Sequence, residues 1–452
     1  MKKSSYLLMI TLIGALGGLL FGYDTAVISG AIGFMETKFS LSADMKGWAV
    51  SCAIVGCIIG VAIAGYVADK IGRKKTLIIT AFLFAISAIG CALSETFTQL
   101  VIARMIGGVG VGAASMLSPL YISEIAPAHK RGMLVSLYQL AIVVGINIVF
   151  FFNYIVAGLY GEQWNVEMGW RYMLGSETIP ALLFLIALFF VPESPRWLSK
   201  EGRDAEALAI LRKINSDETA KKVHNEIKLA LGHEKGNLKE LFAPGLRIAM
   251  TIGIVLALFS QITGINAIMY YAPEILKGGG FGVDSALMQT VIIGLINTIF
   301  TFVAIKYIDK LGRRTLLLWG VSGMTLCLLG IGALFYLGMT TGPWVLILIL
   351  GFVGCFATSL GPIPWVLISE IFPTKTRGIA MSLSIMVLWV GVWFISQFTP
   401  VLLEKIGGAF TFWLFMVNAI ILLVFTYKMI PETKGKTLEE IELSWTTDDE
   451  LK

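Results

Sequence analysis

The sequence predicts an all-α membrane protein, with twelve transmembrane helices in two similar bundles of six and a helical connector between them. Three observations carry this expectation. Hydrophobic residues make up 56% of the chain and charged residues only 14%, against about 25% charged in a soluble globular protein; the mean hydropathy is +0.81. Twelve runs reach the length of about 20 mostly apolar residues that a helix needs to cross a bilayer. Sequence motifs of the first half return in the second, in the same order and at nearly one spacing.

The apolar runs lie at about 6–30, 46–68, 76–94, 98–122, 132–158, 171–191, 247–274, 285–306, 315–337, 343–370, 379–402 and 409–429. The first, opening MKKSSYLLMITLIGALGG, stays apolar past Ile28 without a small-residue cleavage site. It therefore reads as a membrane helix and not as a signal peptide. Residues 200–240 differ sharply, holding seventeen of the chain's 65 Asp, Glu, Lys and Arg residues, with a helical period in DAEALAILRKI. Such a water-exposed segment divides the chain into a bundle over 1–195, a connector over 196–244, a second bundle over 245–430 and a tail over 431–452.

The duplication rests on three motif pairs. GYVADKIGRKKTL (65–77) returns as IKYIDKLGRRTLL (305–317), YISEIAPAHKRG (121–132) as LISEIFPTKTRG (367–378), and VPESPR (191–196) as IPETKG (430–435). Asp69 and Asp309 stand 240 residues apart, Glu124 and Glu370 246, Glu193 and Glu432 239. Chance does not give three such pairs, so the halves are an internal repeat. Basic residues then set the expected orientation. Lys70, Arg73, Lys74, Lys75, Lys130 and Arg131 in the first half, and Lys310, Arg313, Arg314, Lys375 and Arg377 in the second, follow even-numbered helices. Loops rich in Lys and Arg face the cytoplasm, which puts both termini and the connector there.

Other features are bland. A net charge of +5 reflects this loop bias and gives no footprint for nucleic acid. The five cysteines (Cys52, Cys57, Cys91, Cys327, Cys355) sit inside apolar runs, without disulfide or metal-ligand spacing. GGVGVG (107–112) lies in a membrane run with no strand before it, so it is expected to serve close helix packing and not phosphate binding.

Three constellations carry chemistry. Asp24 in the first run, Arg104 in the fourth and Glu177 in the sixth are ionisable residues inside the membrane, where each costs about 2.5–3.5 kcal/mol on insertion scales. Asp24 and Arg104 are expected to pair, with Glu177 as a second acid. An acid between a cation and a dry surrounding is suited to trading a proton, whereas a static ion pair that fixes helix packing is the alternative. The second constellation is polar and aromatic. SQITGINAIMYY in the seventh run offers Gln261, Asn266 and Tyr270, of which Asn266 and Tyr270 share a helix face. Gly264 offers a local break that turns Gln261 inward. Gly361, Pro362 and Pro364 break the tenth run before Trp365, and Gln139, Asn297 and Trp389 complete the set. Amides donate and accept at once and indoles offer apolar faces, the mixture a sugar needs; helix-to-helix bonding is the alternative for any single residue. The third constellation is charged: Arg73, Glu124, Arg131, Glu193 and Arg196 in one half, matched by Arg313, Glu370, Arg377 and Glu432 in the other.

With GR(K/R)(K/R), PESPRWL, QxxGIN, GPIPW and PETKG at these places, nearly the whole chain resembles the sugar porter family of the major facilitator superfamily. It is most similar to the bacterial xylose–proton symporters and less so to the facilitative glucose transporters. The resemblance implies the major facilitator fold and a proton-coupling site at Asp24, Arg104 and Glu177, whose acids the facilitators lack. It implies a sugar site at Gln139, Gln261, Asn266, Asn297, Trp365 and Trp389, and a cytoplasmic gate formed by the duplicated charges. Two departures stand out. The family carries a Gln pair where this chain has Ser260–Gln261, and a Gln or Asn before the helix 11 Trp where this chain has Leu388. Both remove hydrogen-bonding reach and leave open a less hydroxylated or differently seated sugar.

The expected function is import of a monosaccharide (a pentose or hexose, xylose-like or glucose-like) by proton symport with alternating access. The expected protein is a monomer in the inner cell membrane, with sugar, protons and the lipid bilayer as partners and no cofactor. A facilitator of the same fold is the first rival, and Asp24 argues against it. A sugar sensor would carry a long cytoplasmic extension, and only about twenty residues follow Pro431. An enzyme is not expected, because His129, His224 and His233 all fall in predicted cytoplasmic segments with no nucleophile–base or metal pattern. No nucleotide-binding motif supports ATP-driven transport.

Overall fold

The computed structural model describes residues 3–127, 131–231, 244–278, 283–340, 343–372 and 376–434. His129, His233 and the tail beyond residue 434 lie outside the described residues, as do the side chains of Arg131, Asp309 and Arg377. Among the described residues there is no strand. Twelve helices there are long and apolar enough to cross a membrane: Lys3–Phe39, Ala43–Ile71, Arg73–Leu93, Phe97–Ile125, Met133–Tyr160, Glu162–Leu188, Leu246–Lys277, Ser285–Ile308, Arg313–Tyr336, Trp344–Ile368, Ile379–Lys405 and Gly407–Met429. The protein is a multi-pass membrane protein of the expected twelve-helix class.

By contact the described chain falls into two compact units. One holds the first helix up to residue 31, residues 52–152, and residue 163 through the connector helices; the other holds residues 32–51, 153–162 and everything from the seventh helix on. The far ends of the first two helices thus belong, by packing, with the later helices.

Within the first unit, glycine sets the helix spacing. A Cβ added at Gly56 or Gly60 of the second helix would overlap the carbonyls of Met105 or Val109. One at Gly108 or Gly112 of the fourth would overlap those of Ala53 or Cys57. The two backbones therefore touch directly, which is how helices bind in lipid, where burial against a partner gains no hydrophobic energy. GGVGVG does the packing work expected of it. Gly22 and Gly145 make the same approach between the first and fifth helices, against Ile142 and Leu19. We expect Gly108→Val to destabilise the folded protein by about 1–3 kcal/mol or more. Gly110, whose nearest foreign atom to an added Cβ lies 3.4 Å away, should accept Ala within about 0.5 kcal/mol. Melting curves of the two purified variants check this pair.

Breaks in the helices are local and have visible causes. In the sixth helix, Pro180 has no N–H to offer the Ser176 carbonyl four residues back. That carbonyl instead accepts from Ile179 N at 3.1 Å, and Ser176–Glu177 forms a turn. In the seventh, regular helix stops at Ile262 and restarts at Ile265, with Gly264 at φ +95°, a conformation that favours glycine. The tenth is interrupted between Thr358 and Ile363, around Gly361 and Pro362. The fourth starts on a reciprocal cap, in which Gln99 N donates to Thr96 Oγ1 at 3.3 Å and Thr96 N to Gln99 Oε1 at 3.1 Å.

The connector forms helices Pro195–Lys200, Asp204–Ile214 and Asp217–Leu231, the second over the DAEALAILRKI stretch. Trp197, Leu198 and Ala207 form its small core. His224 Nε2 and Lys228 Nζ meet Asp204 at 2.9 and 2.6 Å, so His224 is a partnered helix residue. The Lys228 hydrogen bond holds the Asp204 carboxyl below its ordinary range. Its contribution is therefore full above that range and is lost as pH falls through it. Lys3 Nζ donates to the Asn215 carbonyl, tying the first helix to the connector.

Candidate functional site

Asp24, Arg104 and Glu177 converge in the first unit, each only 2% exposed. Arg104 Nη1 stands 3.9 Å from Asp24 Oδ1, and the Asp24 and Glu177 carboxyls are within hydrogen-bonding reach of each other. Two features of local sequence bring them there. Gly107, one turn past Arg104, lets the fourth helix close on Ser87 of the third, since an added Cβ would come 2.3 Å from Ser87 Oγ. The turn at Ser176–Glu177 is pinned to the first helix, where Tyr23 OH and Ser176 Oγ lie 2.7 Å apart. The arrangement has a definite charge logic. One guanidinium faces two carboxyl groups, and a carboxyl–carboxyl contact is a hydrogen bond only when one of the two carries a proton. Asp24 Oδ2, Glu177 Oε1 and Arg104 Nε are buried without another hydrogen-bond partner among the described residues. Polar atoms buried in this state are costly to the fold, so the cluster is kept at an expense in stability.

The amides of the seventh helix meet in the second unit. Across the break at Gly264, Asn266 Nδ2 donates to Gln261 Oε1 at 2.6 Å, and Gln261 Nε2 donates to Ser260 Oγ at 3.0 Å. The break expected at Gly264 is present, and Gln261 meets Asn266 across it. Asn418 of the twelfth helix donates to the Ile262 carbonyl at 3.1 Å, satisfying an acceptor next to the interruption. Gly391 of the eleventh lies against Gln261, with 3.2 Å between an added Cβ and the Gln261 Cβ. Gln261, Asn266 and Trp365 are half-buried, whereas Tyr270, Asn297 and Trp389 are buried. Gln139 is half-buried on the fifth helix, in the first unit.

The duplicated charges build one module twice, each within its own half. In the first, Glu193 Oε1 accepts from the Arg73 and Lys74 backbone N–H groups at 2.9 and 3.0 Å. Arg73 pairs with Glu124 at 3.1 Å and Asp69 at 2.9 Å, and Ser194 Oγ donates to Glu124. In the second, Glu432 accepts from the Arg313 and Arg314 N–H groups at 2.9 and 3.1 Å. Arg313 pairs with Glu370 at 3.0 Å, and Thr433 Oγ1 donates to Glu370 at 2.6 Å. Gly72 and Gly312 (φ +100° and +92°) let the chain turn so that each glutamate caps the next helix. Arg196 is exposed on its short helix. The repeats announced the acids and bases, but Ser194 and Thr433 were missed; their signal was the shared PE(S/T) triplet.

A further cluster lies where the first helix ends and the second begins. Lys46 Nζ meets Glu36 and, at 3.5 Å, Glu274, which Lys277 also holds at 3.2 Å. Nearby, Ser51 Oγ donates to Gln397 Oε1 at 2.6 Å. No group of three or more potential metal ligands occurs among the described residues.

Known proteins are similar to this chain over nearly all of its length. The D-xylose–proton symporter of Escherichia coli (strain K12) is 43% identical, over 98% of this chain and 96% of its own. The arabinose–proton symporter of Bacillus subtilis (strain 168) is 47% identical, over 97% and 95%. A partially occluded, inward-open structure of the xylose transporter XylE from E. coli superposes with a TM-score of 0.87 at 42% identity, covering 96% of this chain and all of that one. A XylE structure bound to 6-bromo-6-deoxy-D-glucose gives 0.82 at 42% identity, over 98% and 100%. Residues 10–445 match the family described as sugar (and other) transporters. With so much of its length accounted for, the chain belongs to that family, as its motifs imply.

Proposed function

We infer that this protein is a secondary transporter that imports a monosaccharide together with a proton, by alternating access. It is not an enzyme. The observation that carries the coupling is the buried Asp24–Arg104–Glu177 cluster, in which two carboxyls share one cation. It supplies a proton site, and the Gln261–Asn266 amides with Trp365 supply groups for a pentose or hexose. Arabinose- and xylose–proton symporters among the relatives support this reading. Arg73, Glu124, Glu193 and their counterparts Arg313, Glu370 and Glu432, with Arg131, Arg196 and Arg377, form the cytoplasmic gate. Both termini and the connector lie in the cytoplasm and the protein in the inner membrane, a reading that the basic loops support. One chain carries both halves and works as a monomer.

Uptake by proteoliposomes of a panel of pentoses and hexoses, with and without an inward-directed proton gradient, tests this. Concentrative uptake that collapses with the gradient is the expected result. Equilibration at the same rate in both conditions would make the protein a facilitator.

A further inference from the structure

By resemblance to the sugar porter family, Ser260 beside Gln261 reads as a simple loss of hydrogen-bonding reach. The structure gives it a different task. Ser260 is fully buried, and its single hydroxyl proton is committed to the Ala257 carbonyl at 2.8 Å. Its oxygen is therefore left to accept, and it accepts from Gln261 Nε2 at 3.0 Å. With the nitrogen end of the Gln261 amide so engaged, its Oε1 is the end presented to Asn266, which donates Nδ2 at 2.6 Å. Every bond in this chain points one way, from Asn266 through Gln261 and Ser260 to the helix backbone. An amide is nearly symmetric in shape but not in chemistry, so direction is what decides which end a ligand meets.

We propose that Ser260 is a positioning residue that fixes the hydrogen-bond direction of the Gln261–Asn266 pair, and thereby presents the Asn266 side-chain Oδ1 as an acceptor for a sugar hydroxyl. The proposal rests on the sugar-transport reading above. It makes a specific statement about substrate chemistry: one hydroxyl of the sugar must donate at this point. Without Ser260 the Gln261 amide loses its fixed end, both orientations become available, and the demand for a donor relaxes.

The test uses the full-length protein in proteoliposomes, with D-xylose and L-arabinose as labelled sugars. Competitors are their monodeoxyfluoro analogues, in which fluorine replaces a hydroxyl but has no proton to donate. In the parent, fluorination at one position should weaken competition by about tenfold or more, the loss of a hydrogen bond to a half-buried amide. Ser260→Ala should raise KM about fivefold to tenfold with the maximal rate within about twofold, and flatten the difference between hydroxyl and fluorine at that position. Ser260→Thr keeps the hydroxyl and should restore both. In a Gln261→Ala background, Ser260→Ala should add nothing further. A residue that only stabilised the helix would shift the melting temperature and leave the fluorine profile unchanged. An unchanged profile in Ser260→Ala, or a Ser260→Thr that behaves like it, overturns this inference alone. No uptake of any sugar by the parent overturns the transport reading and this inference with it.

Discussion

Asp24→Asn is expected to abolish gradient-driven accumulation while leaving sugar binding and exchange in place. The substitution keeps the shape of the side chain and removes its ability to release a proton. Glu177 then has Arg104 to itself, so the buried cluster stays balanced and the fold survives. The residues proposed to meet the sugar on the seventh, tenth and eleventh helices are untouched. Proteoliposomes carrying the variant should therefore equilibrate labelled sugar and exchange it across the membrane, with no response to an imposed proton gradient. Continued accumulation would remove Asp24 from the coupling. Loss of binding as well would assign it the alternative role of a static packing pair.

Arg104→Met is expected to be the most damaging single change in the membrane interior. Removing one partner of a buried ion pair costs about 3–5 kcal/mol, because the other charge is left uncompensated. Here the removal strands two carboxyls, each 2% exposed. The double variant Asp24→Asn/Arg104→Met leaves one acid, which takes up a proton and becomes neutral, so most of the lost stability should return. Thermal unfolding of the purified single and double variants in detergent checks both statements. A single variant that melts with the parent, or a double that melts with the single, would show that the pair does not act as a unit.

Hydropathy is a local property, and so the twelve helices were legible from residue types alone. Their ends were less so. The first apolar run stops near residue 30 but the helix continues to Phe39, because METKF is polar without being a helix breaker. The sixth begins at Glu162, ahead of its apolar run, and passes through a π-helical turn at Asn165–Gly169. Arg104 could be matched to Asp24 because a lone ion in lipid is too costly to leave unpaired. That Glu177 reaches the same point depends on Pro180 and on the Tyr23–Ser176 contact, neither of which has a spacing signature. The repeat revealed the end charges, and it could not say with whom they pair. A duplicated sequence gives every acid two equivalent bases, and only the fold shows Glu193 and Glu432 each bonding inside its own half. Ser260 was read by what it lacks, since a hydroxyl's direction is set by backbone geometry that no alignment of letters displays.

The two end modules also order events during synthesis. Glu193 and Ser194 follow the sixth helix, and Glu432 and Thr433 follow the twelfth. The partners they fasten, Arg73 and Glu124 in one case and Arg313 and Glu370 in the other, leave the ribosome much earlier. Each half therefore carries its fastening acid at the end of its own sequence. The first module is complete in the chain before the seventh helix begins, so neither module needs residues of the other half.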